Sequence, residues 1–147
     1  MNKLVIPNDV LLPEVSALLE QGSRVELMTK GNSMLPFIVG DRDSVVLARE
    51  PEIRPGDIVL AQIHPGHYVL HRVRSIEGER VTLQGDGNLR GTESCLRSDV
   101  CGTAVRILKP RREVDCADPC VKRRVRCWMR LPYIVKRYYL AVYRRLI

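Results

Sequence analysis

Turn-forming residues divide the middle of the chain into short segments, and this spacing limits the possible folds more than any other feature. The turns are Gly40-Asp41, Pro55-Gly56-Asp57, His64-Pro65-Gly66-His67, Glu77-Gly78-Glu79 and Gly85-Asp86-Gly87-Asn88. Gly, Pro, Asp and Asn adopt or tolerate turn dihedrals. The intervening stretches are rich in aliphatic and β-branched residues, at 25–27, 44–48, 58–63, 68–73, 81–83 and 101–108. This pattern predicts a mainly β domain over residues 24–108, with hairpins at the HPGH and EGE turns.

The segments on either side of this domain have different patterns. In residues 1–23, apolar residues recur at helical intervals up to Gly22, so we expect a short N-terminal helix. Residues 109–118 combine Pro, Arg and acidic residues and are interpreted as a polar linker. Residues 119–147 repeat an apolar residue at alternating intervals of four and three. That repeat predicts an amphipathic helical tail, which Pro132 kinks or divides.

The net charge of +7 is concentrated in the tail. All 17 acidic residues lie in residues 1–118, whereas residues 119–147 contain nine Lys and Arg and no Asp or Glu. A basic amphipathic helix is typical of a segment that binds an anionic membrane surface. The alternatives left open are a helix docked on the β domain or on a second copy, and non-specific contact with nucleic acid. Sequence-specific nucleic acid binding is not expected, because the residues before Arg24 are too few for a helix-turn-helix.

Hydropathy and cysteine content limit the cellular context. Polar residues and prolines interrupt the apolar residues between Val5 and Leu19, so no signal peptide is expected, and no apolar run is long enough to predict a transmembrane helix. Five irregularly spaced cysteines favour a reducing compartment over a disulfide framework. We therefore expect a cytoplasmic location, with the tail available for peripheral attachment at the inner face of the membrane. Cys116 and Cys120 lack two further ligands at zinc-site spacing, so neither a metal nor another cofactor is expected.

A serine in a short turn is the first candidate for chemistry. Ser33 follows Gly31 and Asn32, precedes Pro36, and comes soon after a predicted strand. A turn of this kind can present both the serine hydroxyl and the serine backbone N–H group to a substrate. Acyl transfer needs both, because an oxygen must attack a carbonyl and a donor must stabilise the oxyanion that forms. Ser33 is therefore a candidate nucleophile, although the residue types alone also fit an ordinary turn serine.

Five motifs follow one another along the chain: Gly31-Asn32-Ser33-Met34-Leu35-Pro36, Val39-Gly40-Asp41, Ile53-Arg54-Pro55-Gly56-Asp57-Ile58-Val59, Tyr68-Val69-Leu70-His71-Arg72-Val73 and Gly85-Asp86-Gly87-Asn88. In order and spacing they resemble the motifs of the serine peptidase clan that contains the type I signal peptidases and the LexA-like self-cleaving repressors, and the first is similar to the nucleophile box of that clan. The resemblance covers residues 24–107. It implies a coiled β-sheet domain of the LexA and signal-peptidase type, which binds its substrate as an extended strand beside the sheet.

The same resemblance implies roles for individual residues. Ser33 would be the nucleophile and His71 the general base, as in the endoplasmic-reticulum and archaeal branch of the signal peptidases, where other branches have lysine. Histidine serves as a base near neutral pH without the strong desolvation that lysine needs. The third catalytic member is left open between Glu93, Asp86 and a Ser/His dyad. The backbone N–H of Ser33, together with Gly31, would stabilise the oxyanion.

The expected activity also follows from the resemblance. Met34, Leu35 and Pro36 would contact the substrate, and the pocket would prefer small apolar side chains. The chain would then be a serine endopeptidase that processes a protein or peptide in trans. Two alternatives stay open: a LexA-like self-cleaving regulator, and a catalytically silent binding module that kept the fold. Self-cleavage is disfavoured because Cys101-Gly102, the chain's single Cys-Gly pair, lies in a predicted strand far downstream of Ser33.

Overall fold

The computed structural model describes residues 2–3 and 12–147. In this part of the chain the strands are β1 (Asn2–Lys3), β2 (Val25–Met28), β3 (Ser44–Ala48), β4 (Ile58–His64), β5 (His67–Glu77), β6 (Arg80–Gln84), β7 (Glu93–Leu96), β8 (Val100–Lys109) and β9 (Arg112–Asp115). The helices are α1 (Leu12–Glu20), α2 (Pro119–Arg130) and α3 (Tyr133–Leu146). The prediction of a mainly β fold with a short N-terminal helix and a helical C-terminal tail is confirmed. The predicted helical turn before Leu12 lies outside the described residues.

The described strands form one sheet in the order β1-β2-β3-β8-β4-β5-β6-β7, and β9 pairs with β8. β1 runs parallel to β2, and the remaining pairs are antiparallel. The register shifts within four of these pairs, which are β3–β8, β4–β8, β4–β5 and β5–β6. Bulges of this kind increase the local twist of a sheet, so the central strands curve around the core.

The two predicted hairpins form where the turn residues indicated them. In the β4–β5 hairpin, His64 lies opposite His67, and Gly66 has a φ of +78°. In the β5–β6 hairpin, Glu77 lies opposite Arg80, and Gly78 has a φ of +58°. Glycine adopts such left-handed conformations without the steric cost that other residues incur. These turns set the register of β5, the strand that carries His71.

Helix α1 covers one end of the core. Its residues Val15 and Leu19 are fully buried and belong to the same apolar cluster as Leu27, Met34 and Leu60. The helix ends at Glu20, just before the predicted stop at Gly22, which has a φ of +87°. Because Met34 belongs to this cluster, the core anchors the turn that contains Ser33.

The segment expected to be a linker contains a strand instead. Residues 112–115 form β9, which joins β8 through a tight turn at Pro110-Arg111. In β9, Val114 is the residue that packs against the core, and its neighbours are charged. Charged edge strands give little apolar alternation, which explains why this segment resembles a loop in sequence.

The tail folds into two helices that pack on the β domain. Asp118 caps α2 by accepting a hydrogen bond from the Cys120 amide at 2.8 Å, and Pro132 is the residue immediately before α3. The predicted break at Pro132 is therefore present. The residues that anchor the pair of helices are Val125, Trp128 and Leu140, all of which are buried. No helix in residues 12–147 has both the length and the apolar character needed to cross a membrane.

Candidate active site

Ser33 lies in a long turn that runs between β2 and β3. The base of this turn is closed by hydrogen bonds between its two ends: the Thr29 amide donates to the Asp43 carbonyl at 3.1 Å, and the Asp41 amide donates to the Thr29 carbonyl at 2.8 Å. The Thr29 hydroxyl also donates to the Asp43 carbonyl, at 2.7 Å. The backbone around Ser33 is therefore held at both ends.

The fully buried carboxylate of Asp43 connects this turn to the sheet. It accepts hydrogen bonds from the Val39 amide at 2.9 Å, the Arg42 Nε at 2.8 Å and the Lys109 Nζ at 2.8 Å. Burial alone would raise the pKa of the Asp43 carboxyl, but the hydrogen bonds from Arg42, Lys109 and the Val39 amide together hold that pKa below its usual value. Asp43 is therefore a charged anchor of the turn, and the sequence did not single it out.

Gly40, from the far end of the same long turn, and Gly85, which follows β6, pack directly against the segment that contains Ser33. A β carbon at Gly40 would overlap the Gly31 carbonyl oxygen, and one at Gly85 would overlap the Ser33 carbonyl oxygen. The Gly87 amide donates to the same Ser33 carbonyl at 2.8 Å. Two of the sequence motifs thus pack against the backbone of residues 31–33, and both need glycine because no side chain fits.

His71 and Glu93 form a short hydrogen-bonded pair. The distance from His71 Nδ1 to Glu93 Oε2 is 2.6 Å. His71 lies on β5 and Glu93 begins β7, and the two strands flank β6. The His71 side chain is 9% exposed and the Glu93 side chain 29% exposed, so the pair is largely shielded from water.

Ser33 and His71 line the same cavity, which has a volume of about 180 Å³. Met34 and Leu60 contribute apolar walls to it, and Gly31 also lines it. This volume is below the range of about 300 to 1,000 Å³ that is usual for small-molecule sites, so the cavity suits one side chain of a longer ligand. A hydroxyl, an imidazole and a carboxylate that holds the imidazole are the groups that acyl transfer requires.

Asp86 contacts a different partner. Its carboxylate accepts hydrogen bonds from Arg72, with Nε at 2.9 Å and Nη2 at 2.5 Å, and both side chains are almost fully buried. Arg72 also donates to the Gly56 carbonyl at 2.8 Å, and its guanidinium lies over the Phe37 ring. Successive residues of a strand point to opposite faces, so His71 faces the cavity and Arg72 faces away from it. The geometry places Glu93, and not Asp86, against the imidazole.

The three residues expected to contact substrate are separated by the structure. Met34 lines the cavity beside Ser33. Leu35 is fully buried in a cluster with Val39, Trp128 and Leu140, so it supports the tail and is not available to a substrate. Pro36 lines a second groove, between the β domain and the helical tail. These three residues separate because the chain turns tightly after Ser33, so that adjacent side chains point in different directions.

Trp128 of the helical tail contacts the turn around Asp86, which packs beside Ser33. Trp128 donates from Nε1 to the Asp86 carbonyl at 3.2 Å and meets the Phe37 ring edge-on, with centroids 6.3 Å apart. In the sequence, Trp128 is one member of the apolar repeat of residues 119–147 that predicts the amphipathic tail. Its contact with the turn that packs on Ser33 depends on how the tail folds back.

Within residues 12–147, the cysteines and acidic residues do not assemble into a further reactive centre. Among the described residues, no group of three or more His, Cys, Asp or Glu side chains is placed to hold a metal ion. All five cysteines are free thiols. Burial raises the pKa of the Cys95 and Cys116 thiols to about 11, so both stay protonated at neutral pH and neither is a good nucleophile.

Comparison with known proteins places this site in a family context. No curated protein matches the chain closely enough to be counted as a relative. The model of the Peptidase S24-like family matches residues 7–102, a range that contains Ser33, His71 and Glu93. This match spans well over half of the chain. The protein is therefore a member of the Peptidase S24-like family, whose activities are those of serine peptidases and of self-cleaving LexA-like proteins.

Proposed function

We propose that this protein is a serine endopeptidase in which Ser33, His71 and Glu93 act together on a peptide bond. The observation that carries the proposal is the 2.6 Å hydrogen bond between Glu93 and His71, at the edge of a cavity that Ser33 also lines. An ionised carboxylate only accepts hydrogen bonds, so Nδ1 of His71 carries the proton in this pair. Nε2 is then free to accept a proton from the serine.

The proposed reaction follows from these roles. The Ser33 hydroxyl attacks the peptide carbonyl while His71 takes its proton, and Glu93 stabilises the resulting imidazolium. The Ser33 backbone N–H group, with the Gly31 backbone beside it, stabilises the oxyanion. His71 then protonates the departing amine, which breaks the C–N bond and leaves an ester on Ser33. Water, deprotonated by His71, hydrolyses that ester and restores the free hydroxyl.

The cavity indicates the class of peptide that the enzyme would accept. Its walls include Met34, Leu60 and Leu27, and its volume of about 180 Å³ admits a small apolar side chain. Lys30 lies at the exposed edge of the cavity, where it would meet the polar backbone or an acidic residue of the substrate. We propose an extended substrate strand with a small apolar residue next to the scissile bond.

Cleavage of another molecule is favoured over self-cleavage at the Cys-Gly pair. Cys101 and Gly102 lie within β8, which pairs with β3 on one side and β4 on the other. Gly102 is buried, and a β carbon at this position would meet Leu19 and Ala48. A peptide bond in this central strand cannot enter the cavity without unfolding of the sheet.

Two variants test the catalytic assignment. Wild-type protein, Ser33→Ala and His71→Ala are each incubated with a denatured cell extract, and new protein N-termini are labelled and sequenced by mass spectrometry. We expect new termini that follow small apolar residues with wild-type protein and none with either variant. Ser94→Ala and His67→Ala are matched controls, because both residues are exposed and lie outside the cavity, and both controls should cleave as wild type does.

The possible outcomes separate the peptidase from the alternatives. Equal cleavage by wild type and by Ser33→Ala would refute the mechanism. A wild-type protein that binds extract proteins without cleaving any of them would instead identify a binding module. Circular dichroism of each variant checks that lost activity does not reflect lost folding.

A further inference from the structure

Helix α3 packs through one face against the rest of the chain that the structure describes. Leu140 is buried and Tyr143 is half-buried on that face. At the start of the helix, the Tyr133 hydroxyl accepts a hydrogen bond from Arg90 Nε at 2.9 Å. Leu140 and Tyr143 are three residues apart, so they lie on the same side of the helix.

The opposite side of α3 carries an uninterrupted apolar stripe. Ile134 is 64% exposed, Tyr138 71%, Val142 59% and Leu146 78%. These positions are spaced by four residues, which aligns them along the helix. Val135 widens the stripe and is also exposed, whereas Tyr139 borders it with its ring edge-on to Trp128, the centroids 5.4 Å apart. Among the described residues that precede the tail, Leu96 is the only large hydrophobic side chain that is exposed.

The charges around this stripe limit what can cover it. Residues 119–147 contain nine Lys and Arg and no acidic residue. All four arginines at positions 130, 137, 144 and 145 are exposed, and Arg145 lies next to the stripe on the helix surface. A second copy docked through the same surface would bring two polycations together, which is unfavourable. Nucleic acid would match the charge but would leave the aliphatic side chains in water.

An anionic lipid surface complements both the apolar stripe of α3 and its positive charge. The apolar side chains would enter the boundary between headgroups and acyl chains, and the arginines would extend along their apolar stems to reach lipid phosphates. We infer that the stripe formed by Ile134, Val135, Tyr138, Val142 and Leu146 binds the protein peripherally to anionic membranes, with α3 lying in the plane of the interface. Each basic residue near such a surface strengthens binding about fivefold.

Vesicle co-sedimentation tests this inference directly. The probes are vesicles of phosphatidylcholine alone and of phosphatidylcholine with phosphatidylglycerol. We compare wild-type protein with the triple variant Ile134→Gln/Tyr138→Gln/Val142→Gln. Glutamine is a good helix former and the three positions are exposed, so the fold should be retained. Leu96→Gln is the matched control, since it removes an exposed apolar side chain from the β domain.

We expect wild type and Leu96→Gln to sediment with the anionic vesicles, and the triple variant to bind at least tenfold more weakly. Binding to neutral vesicles should be weak, and binding to anionic vesicles should fall as salt is raised. Equal binding by wild type and the triple variant, or no binding by wild type, would overturn the inference. Wild-type dimers in sedimentation velocity that the triple variant lacks, without vesicle binding, would assign the stripe to self-association instead. The assay needs no catalysis, so its result is independent of the proposed peptidase activity.

Discussion

Replacing Glu93 by glutamine isolates the part of the proposed mechanism that the structure shows most directly. The side chain keeps its shape but loses its charge, and the Glu93–His71 contact of 2.6 Å becomes one between neutral groups. The neutral amide no longer stabilises an imidazolium, and it allows the ring to adopt the other tautomer. We therefore expect the variant to fold normally and to turn over slowly.

The electrostatic attraction between Glu93 and a protonated His71 determines how much kcat should fall in Glu93→Gln. Opposite charges whose centres lie about 4 Å apart attract by about 4 kcal/mol at an effective dielectric constant of about 20. Glu93 is 29% exposed, and solvent screening reduces this attraction to about 3 kcal/mol. In the proposed mechanism the imidazolium forms as His71 takes the serine proton, so the loss falls on the transition state. Glu93→Gln should lower kcat about a hundredfold, since about 1.4 kcal/mol corresponds to a factor of ten.

The assay uses a peptide that spans a cleavage site found in the extract experiment, with kcat and KM measured by chromatography of the products. Glu113→Gln is the matched control, because Glu113 is an exposed carboxylate that forms an ion pair with the exposed Arg106. It should leave kcat unchanged. Asp86→Asn should behave differently from both variants, since loss of the buried Arg72 pair lowers the free energy of unfolding. A kcat for Glu93→Gln within twofold of wild type would show that Glu93 does not support His71.

The sequence predicts the central strands and hairpins because their signals are local. The Pro65-Gly66 and Gly78 turns specify tight reversals, and the strands between them alternate or run apolar. The break at Pro132 is equally local. β7 and β9 were not predicted, since each has a single residue that packs against the core, Cys95 in one and Val114 in the other. Such edge strands are held by backbone pairing, which leaves little trace in the residue pattern.

The candidate site was predicted only in part. Ser33 and His71 were selected by the resemblance of their motifs, and the structure places both at one cavity. The choice between Glu93 and Asp86 depends on how β7 pairs with β6 and on which way each strand residue faces. One-residue changes of register reverse that direction, so sequence spacing alone cannot decide it. The predicted substrate contact of Leu35 was wrong for a similar reason, because it too depends on tertiary structure. Trp128 is distant in sequence and comes to lie beside Leu35 only when the tail folds back.

Two further predictions concern stability and thiol reactivity. Asp43→Asn should lower the free energy of unfolding by about 3 kcal/mol in urea denaturation, because it leaves Lys109 Nζ without its buried carboxylate. The pKa of Asp43 is lower in the folded protein than in the unfolded chain. The Asp43 carboxylate therefore contributes fully to the free energy of unfolding above the ordinary carboxyl pKa of about 4. That contribution is lost as pH falls through the pKa of Asp43 in the folded protein. The difference between wild type and Asp43→Asn should shrink below about pH 4, and a difference that stays constant there would contradict this account. For the thiols, iodoacetamide at neutral pH should alkylate the exposed Cys120 and spare Cys95 and Cys116, whose burial raises the pKa of each to about 11. Peptide mass spectrometry measures each site, and fast alkylation of Cys95 in the native protein would show that the β6–β7 edge opens readily in solution.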